Sequence, residues 1–426
     1  MKRTLLAMSF FAATSIVTPI WAGQAPGAAS DSDIPVSHKD RVYTAEQFSN
    51  TVSVTDPVDN TLLGVIRLGD PQPGNFSPLY KGQVLVHGMG FSSDHKTIAV
   101  VSIGSNSVTF IDTATNAVKH TTYVGRSPHE TFFTPDGKEV WVTVRGEDYV
   151  SVLDGTTFEE KTRIKVPAGP GMQIFSPDGK YGYVCSSFNP ETVVVNVADH
   201  QIVGHVKQDS PFCPNIAATP DGKQVWLTLK DVGRTMVFNA QPPFDVIKSF
   251  DTGPITNHVN IVHNANGTFA YVTVGGLNEV KVFRTDDFSQ VATIPVGKLP
   301  HGLWPSGDGS RIYVGLENAD SVTAIDTMTN KVIATSPVGQ RAAGHCICAE
   351  RGSRGRWQTR LAADRSCGPN HASDAHRCCG QQSQARCWER ADQCVVVRSG
   401  VDPGIAGIGH RPRAQATVCT RACESS

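Results

Sequence analysis

The chain has 426 residues and a formal net charge of −1. That balance gives no bulk electrostatic reason to expect a nucleic acid or an anionic membrane as partner. A chain this long can hold two or three domains or a single repeat array.

At the N-terminus, Lys2-Arg3, an apolar run from about Leu5 to Val17 and the small residues Ala22 and Gly23 predict a signal peptide over residues 1–22. The run is too short to span a bilayer, and no later stretch is long enough. The expected location is therefore a bacterial periplasm or the exterior, with no integral membrane segment after cleavage. Residues 23–40, rich in Ala, Gly, Ser and Asp, predict a flexible lead-in.

From residue 41 a unit repeats, most clearly at Phe132 to Asp154, FFTPDGKEVWVTVRGEDYVSVLD. Pro135-Asp136-Gly137 is a turn: proline fixes φ, aspartate bonds back to its own backbone, and glycine accepts a positive φ. The runs Val140-Trp141-Val142-Thr143-Val144 and Tyr149-Val150-Ser151-Val152-Leu153 have strand length and strand composition. The turn recurs at Asp94, Asp136, Asp178, Asp221, Asn266 and Asp308, in steps of 42, 42, 43, 45 and 42 residues. This is the period of a four-stranded propeller blade. Seven outer-strand sets can be counted, and six inner strands lie just before the turns. The predicted fold is all-β, a seven-bladed propeller of four-stranded antiparallel blades over residues 41–340.

The copies Ala270-Tyr271-Val272-Thr273, Ser105-Asn106-Ser107-Val108-Thr109-Phe110-Ile111-Asp112 and Asp320-Ser321-Val322-Thr323-Ala324-Ile325-Asp326 resemble the YVTN-type β-propeller repeat family. That resemblance covers about residues 41 to 340. It implies seven blades and a secreted or periplasmic protein, and says little about activity.

The seventh inner strand is due after Gln340, where the composition changes. From Arg341 onward there is no Lys, Phe or Tyr, and nine of the eleven cysteines fall here. CxC and CC pairs without a second spaced pair are weak metal signals. Read one base later, with permitted synonymous codons, Arg341 to Glu350 gives Ala-Pro-Gln-Ala-Ile-Val-Tyr-Val-Pro-Asn, an inner strand and turn in blade register. Residues 341–426 are accordingly expected to be an out-of-frame, disordered tail, with the closing strand lost.

No Gly-x-Ser-x-Gly, HExxH, Walker loop or dinucleotide fingerprint occurs, so the sequence assigns no catalytic residue and names no cofactor. Cys185 and Cys213 should lie toward one rim, as a disulfide or as two buried thiols. Histidines are more informative. His87, His129 and His301 stand seven residues before their turn aspartates, and His258 eight before Asn266. All four are expected at the inner-strand starts of blades two, three, six and seven, facing one mouth of the channel. Arg126, Asn215 and Asn257 sit nearby in sequence, with Glu130, Gln173 and Asn260. The loop Asp70 to Gln83 is long enough to cover that mouth.

These positions support an exported binding or scaffold protein, holding a protein partner or a small ligand at the histidine-bearing mouth. The alternative is a metal-, haem- or quinone-associated periplasmic redox enzyme or accessory protein, with the four histidines as metal ligands. A third reading gives the histidines only hydrogen bonds across their blades.

Overall fold

The computed structural model describes residues 35–69 and 84–348. The expected signal peptide, the first part of the lead-in, the loop 70–83 and the tail beyond 348 lie outside the described residues. Two compact units divide the chain, Met1–Leu361 and Ala362–Ser426, and all described residues belong to the first.

The described residues form seven four-stranded antiparallel sheets. In blade 4, for example, the strands Pro170–Phe175, Tyr181–Ser186, Glu191–Asn196 and Ile202–Lys207 run from the innermost to the outermost in chain order. The inner strands of blades 2 to 7 are Val86–Phe91, Pro128–Phe133, Pro170–Phe175, Ile216–Ala218, Thr256–Asn264 and Pro300–Pro305. Each contacts the next around the ring. Among the described residues no helix is long and apolar enough to cross a membrane.

The chain corrects one expectation. Blade 1 does have an inner strand, Ala342–Cys348, antiparallel to Arg41–Glu46 with Tyr43 opposite Cys346. It also touches the inner strands of blades 2 and 7, so the ring is closed. The physical reason is that ring closure asks for backbone hydrogen bonding and small buried residues more than for the family's usual composition. Ala342 and Ala343 are fully buried. Arg341 takes a left-handed φ of 59°, as Leu85, Ser127, Ile255 and Leu299 do before their own inner strands.

Local chemistry explains the regularity. In five turns a Ser or Thr hydroxyl (Ser92, Thr134, Ser176, Thr219, Ser306) donates to the Asp two residues on, at 2.6–2.7 Å. Gly137, Gly179, Gly222 and Gly309 follow at φ 66–72°. Blade 6 differs: Asn264 pairs with Gly267, so its two strands run on into a tight hairpin.

Between blades, one position of the second strand carries Tyr43, Trp141, Tyr183, Trp226, Tyr271 or Tyr313, each 0 or 1 % exposed. These rings fill the wedge between neighbouring sheets. Several also reach across it: Tyr43 Oη donates to Asn116 Oδ1 at 3.0 Å and Tyr183 Oη to the Ala240 carbonyl at 2.6 Å. Gly182 is needed opposite Trp141, because a Cβ there would meet the indole at 2.5 Å. Cys185 and Cys213 are joined in a disulfide, with Cα atoms 6.0 Å apart.

Candidate functional site

The inner strands share a defect at their starts. Pairing with the second strand shifts register between Val86 and Met89, Pro128 and Glu130, Thr256 and Val259, and Pro300 and Leu303. His87, His129, His258 and His301 all lie inside these bulges. A bulge leaves a residue unpaired and re-aims its side chain, here toward the channel axis.

The four rings meet. Ring centroids of His87 and His129 lie 4.4 Å apart, as do those of His258 and His301, and His87 meets His301 edge-on at 6.0 Å. Each histidine is only 7–8 % exposed. His129 Nδ1 donates to the Gly171 carbonyl at 2.9 Å and His301 Nδ1 to the Ala343 carbonyl at 3.1 Å. A carbonyl only accepts, so in these neutral rings Nε2 keeps its lone pair. His87 Nδ1 and His258 Nε2 are buried with no hydrogen-bond partner among the described residues.

Burial, then the charges around the mouth, hold all four imidazoles below their ordinary value. His87 and His258 are pushed well below it, His129 to about 3, and His301 is lowered less because Glu317 opposes the effect. Glu317 Oε1 lies 3.9 Å from His301 Nε2 but 3.4 Å from Arg341 Nε. Because His301 is neutral, the guanidinium is the ionic partner. Burial raises the Glu130 carboxyl well above the usual range despite N–H groups of Met89 and Thr131 directed at it.

The sequence reading placed three further residues near the histidines, and the structure gives each a protein partner, although Asn257, inside the same bulge as His258, keeps a buried Oδ1 without one among the described residues. Arg126 lies on the exposed rim, paired with Glu147 at 2.7 Å. Asn215 Oδ1 accepts from the Val259 N–H at 3.0 Å, and Asn257 Nδ2 donates to the Pro300 carbonyl at 2.7 Å. Both asparagines hold neighbouring blades together.

It missed a collar of charge. Arg145, Lys230 and Glu317 directly follow the second strands of blades 3, 5 and 7, whose ends are level with the inner-strand starts. Arg145 has no acidic partner among the described residues; burial lowers both Arg145 and Lys230 from their ordinary values, opposed at Lys230 by the charge of Glu317. The Arg145 guanidinium lies 5.5 Å from the Phe188 ring and 5.4 Å from that of Phe212, with Nε buried and unpartnered. Lys230 Nζ stands 5.9 Å from Phe212, and the Arg341 guanidinium 5.0 Å from Phe48. The same post-strand position shows how strand-end register could have exposed this collar.

Residues 97–341 match the family described as "Lactonase, 7-bladed beta-propeller". The match spans more than half of the chain. The chain belongs to the seven-bladed β-propeller lactonase family. This family is coarser than the YVTN-type resemblance. Among solved structures, the chain is similar to "Kuenenia stuttgartiensis Hydrazine Synthase", at 21 % identity and TM-score 0.54, over 61 % of this chain and 89 % of that one. It is also similar to a functionally unknown protein from Desulfotomaculum acetoxidans, at 15 % identity and TM-score 0.61, over 72 % and 98 % of the two chains. At such identities the likeness concerns the fold alone. No curated protein matches.

Proposed function

We propose that this lactonase-family propeller is an exported binding protein that holds a small organic acid at its histidine-bearing mouth. The observation that carries this reading is the collar. Arg145 has no carboxylate partner among the described residues, and Glu317, the one acidic group acting on Lys230, also pairs with Arg341 at 3.4 Å, which leaves the collar with an excess of positive charge. Withdrawing a cation from water without a partner costs several kcal/mol, and an anionic ligand would supply the missing charge. The Arg145 fork suits a carboxylate, while Phe188 and Phe212 offer apolar surface beside it. The deeply buried histidine floor favours a small ligand over a flat protein surface. Export is supported by the N-terminal charge and apolar pattern and by the Cys185–Cys213 disulfide.

Family membership favours a second reading, lactone hydrolysis at the same mouth. Water would add to the ester carbonyl and the ring C–O bond would open, leaving a hydroxy acid whose carboxylate suits the collar. Calorimetric titration with benzoate tests the first reading. Arg145→Gln with Lys230→Gln should weaken binding by about 100-fold or more, since each charged hydrogen bond contributes about 1.5–3 kcal/mol. Arg126→Gln, on the rim, should leave it unchanged. Equal affinity in parent and double variant would overturn the proposal. Gluconolactone hydrolysis above the buffer rate that disappears in the double variant would move the protein to the second reading.

A further inference from the structure

Beneath the collar, the geometry points to a divalent transition-metal site built on His87, His129 and Glu130, with His301 beside them. Ligand atoms of His87, His129 and Glu130 all lie within 4.8 Å of one another, and all three residues are buried. They come from two blades held unusually close: a Cβ on Gly88 would meet the His129 carbonyl at 2.4 Å and Glu130 Oε1 at 2.5 Å. His301 is edge-on to His87 and brings a third blade to the same place.

The ring nitrogens are prepared for an ion. His129 and His301 each donate Nδ1–H to a backbone carbonyl, which fixes the ring and leaves Nε2 as the donor atom toward a metal. This is the usual support for a metal-bound histidine, whose second nitrogen is held by a carbonyl or a carboxylate. His87 Nδ1 has no partner among the described residues although the residue is more than nine-tenths buried. An orphaned buried acceptor or donor costs about 1–3 kcal/mol, and a cation held by the lone pairs of several neutral imidazoles would supply the missing partner. Across the cluster, His258 Nε2 is in the same condition. Imidazole with one carboxylate suits zinc, copper, iron or nickel, whereas calcium and magnesium take all-oxygen sites.

The ion site and the organic-acid site share the mouth but use different side chains, so they can fail separately. The test uses the full chain, with free thiols alkylated beforehand so that tail cysteines do not compete. After chelator treatment it is titrated with Co²⁺, followed by its visible absorption, and then with Zn²⁺. About one equivalent of Co²⁺ should bind and be displaced by Zn²⁺. His87→Gln with His129→Gln should weaken binding on the order of 100-fold or more. His205→Gln, a surface residue paired with Glu191, should not. If the double variant fails to fold, Glu130→Gln keeps the shape and should still cost about tenfold. Absence of stoichiometric binding, an unchanged affinity in the folded variants, or an equal loss in His205→Gln would overturn the inference. Benzoate binding by the metal-free chain would then leave the organic-acid reading standing.

Discussion

His129 and His301 commit Nδ1 to a carbonyl of the neighbouring blade, whereas His87 and His258 each keep a ring nitrogen without a partner among the described residues. A purely structural role accounts for the first pair and not for the second. All four positions were legible because each stands at a fixed distance from its turn. Arg145, Lys230 and Glu317 were not, because Ile103, Ser187 and Gly275 occupy the same place in other blades and no residue type repeats there. Glu46 gives a residue-scale test. It is fully buried, and burial raises its carboxyl above the ordinary range, opposed by hydrogen bonds from Ser53, Thr51 and Gly339. The folded chain therefore keeps this proton to a higher pH than the unfolded chain. That contribution to stability is complete below the unfolded value of about 4.5 and is lost as pH rises through the raised folded value. Glu46→Gln keeps the acceptor oxygen and has no proton to lose. Denaturant midpoints should shift in the variant's favour as pH is raised from weakly acid to neutral; parallel curves for the two proteins would contradict the assignment.

At the scale of elements, the turns and second strands followed from composition and spacing, but the bulges did not. One extra residue at the start of a bulged inner strand recurs in most blades, so the repeat length hides it and periodicity cannot reveal it. The closing strand was not legible for a related reason: Ala342–Cys348 departs from the family's residue types, yet pairing with Arg41–Glu46 needs only a backbone ladder. The family match ends at Arg341, where the composition also changes. A one-base frameshift close to that codon is our proposal for the tail. The strand's contribution can be measured by ending the chain after Gln340. The truncated protein loses the pairing to Tyr43 and the Ala343 carbonyl that holds His301. Its melting midpoint should fall by on the order of 5–10 °C, as a loss of about 3 kcal/mol would give, with a broader transition. An unchanged midpoint would mean that blade 1 is stable without this strand.

As a whole molecule, the propeller converts residues far apart in sequence into one chamber. His87 and His301 belong to blades 2 and 7 and touch only because blade 1 closes the ring between them. Blade number was readable from the turn spacing, and the shared mouth from the phase of the histidines within it. The charge that distinguishes this mouth was not readable, since it depends on which strand ends are level in space. The central claim is that this chamber is the ligand site. The most direct measurement is a crystal structure of the full chain soaked with benzoate. The account predicts a carboxylate in contact with Arg145 and Lys230, with its ring against Phe188 or Phe212, above the four histidines. Benzoate ordered elsewhere on the protein, with the collar holding none, would contradict it.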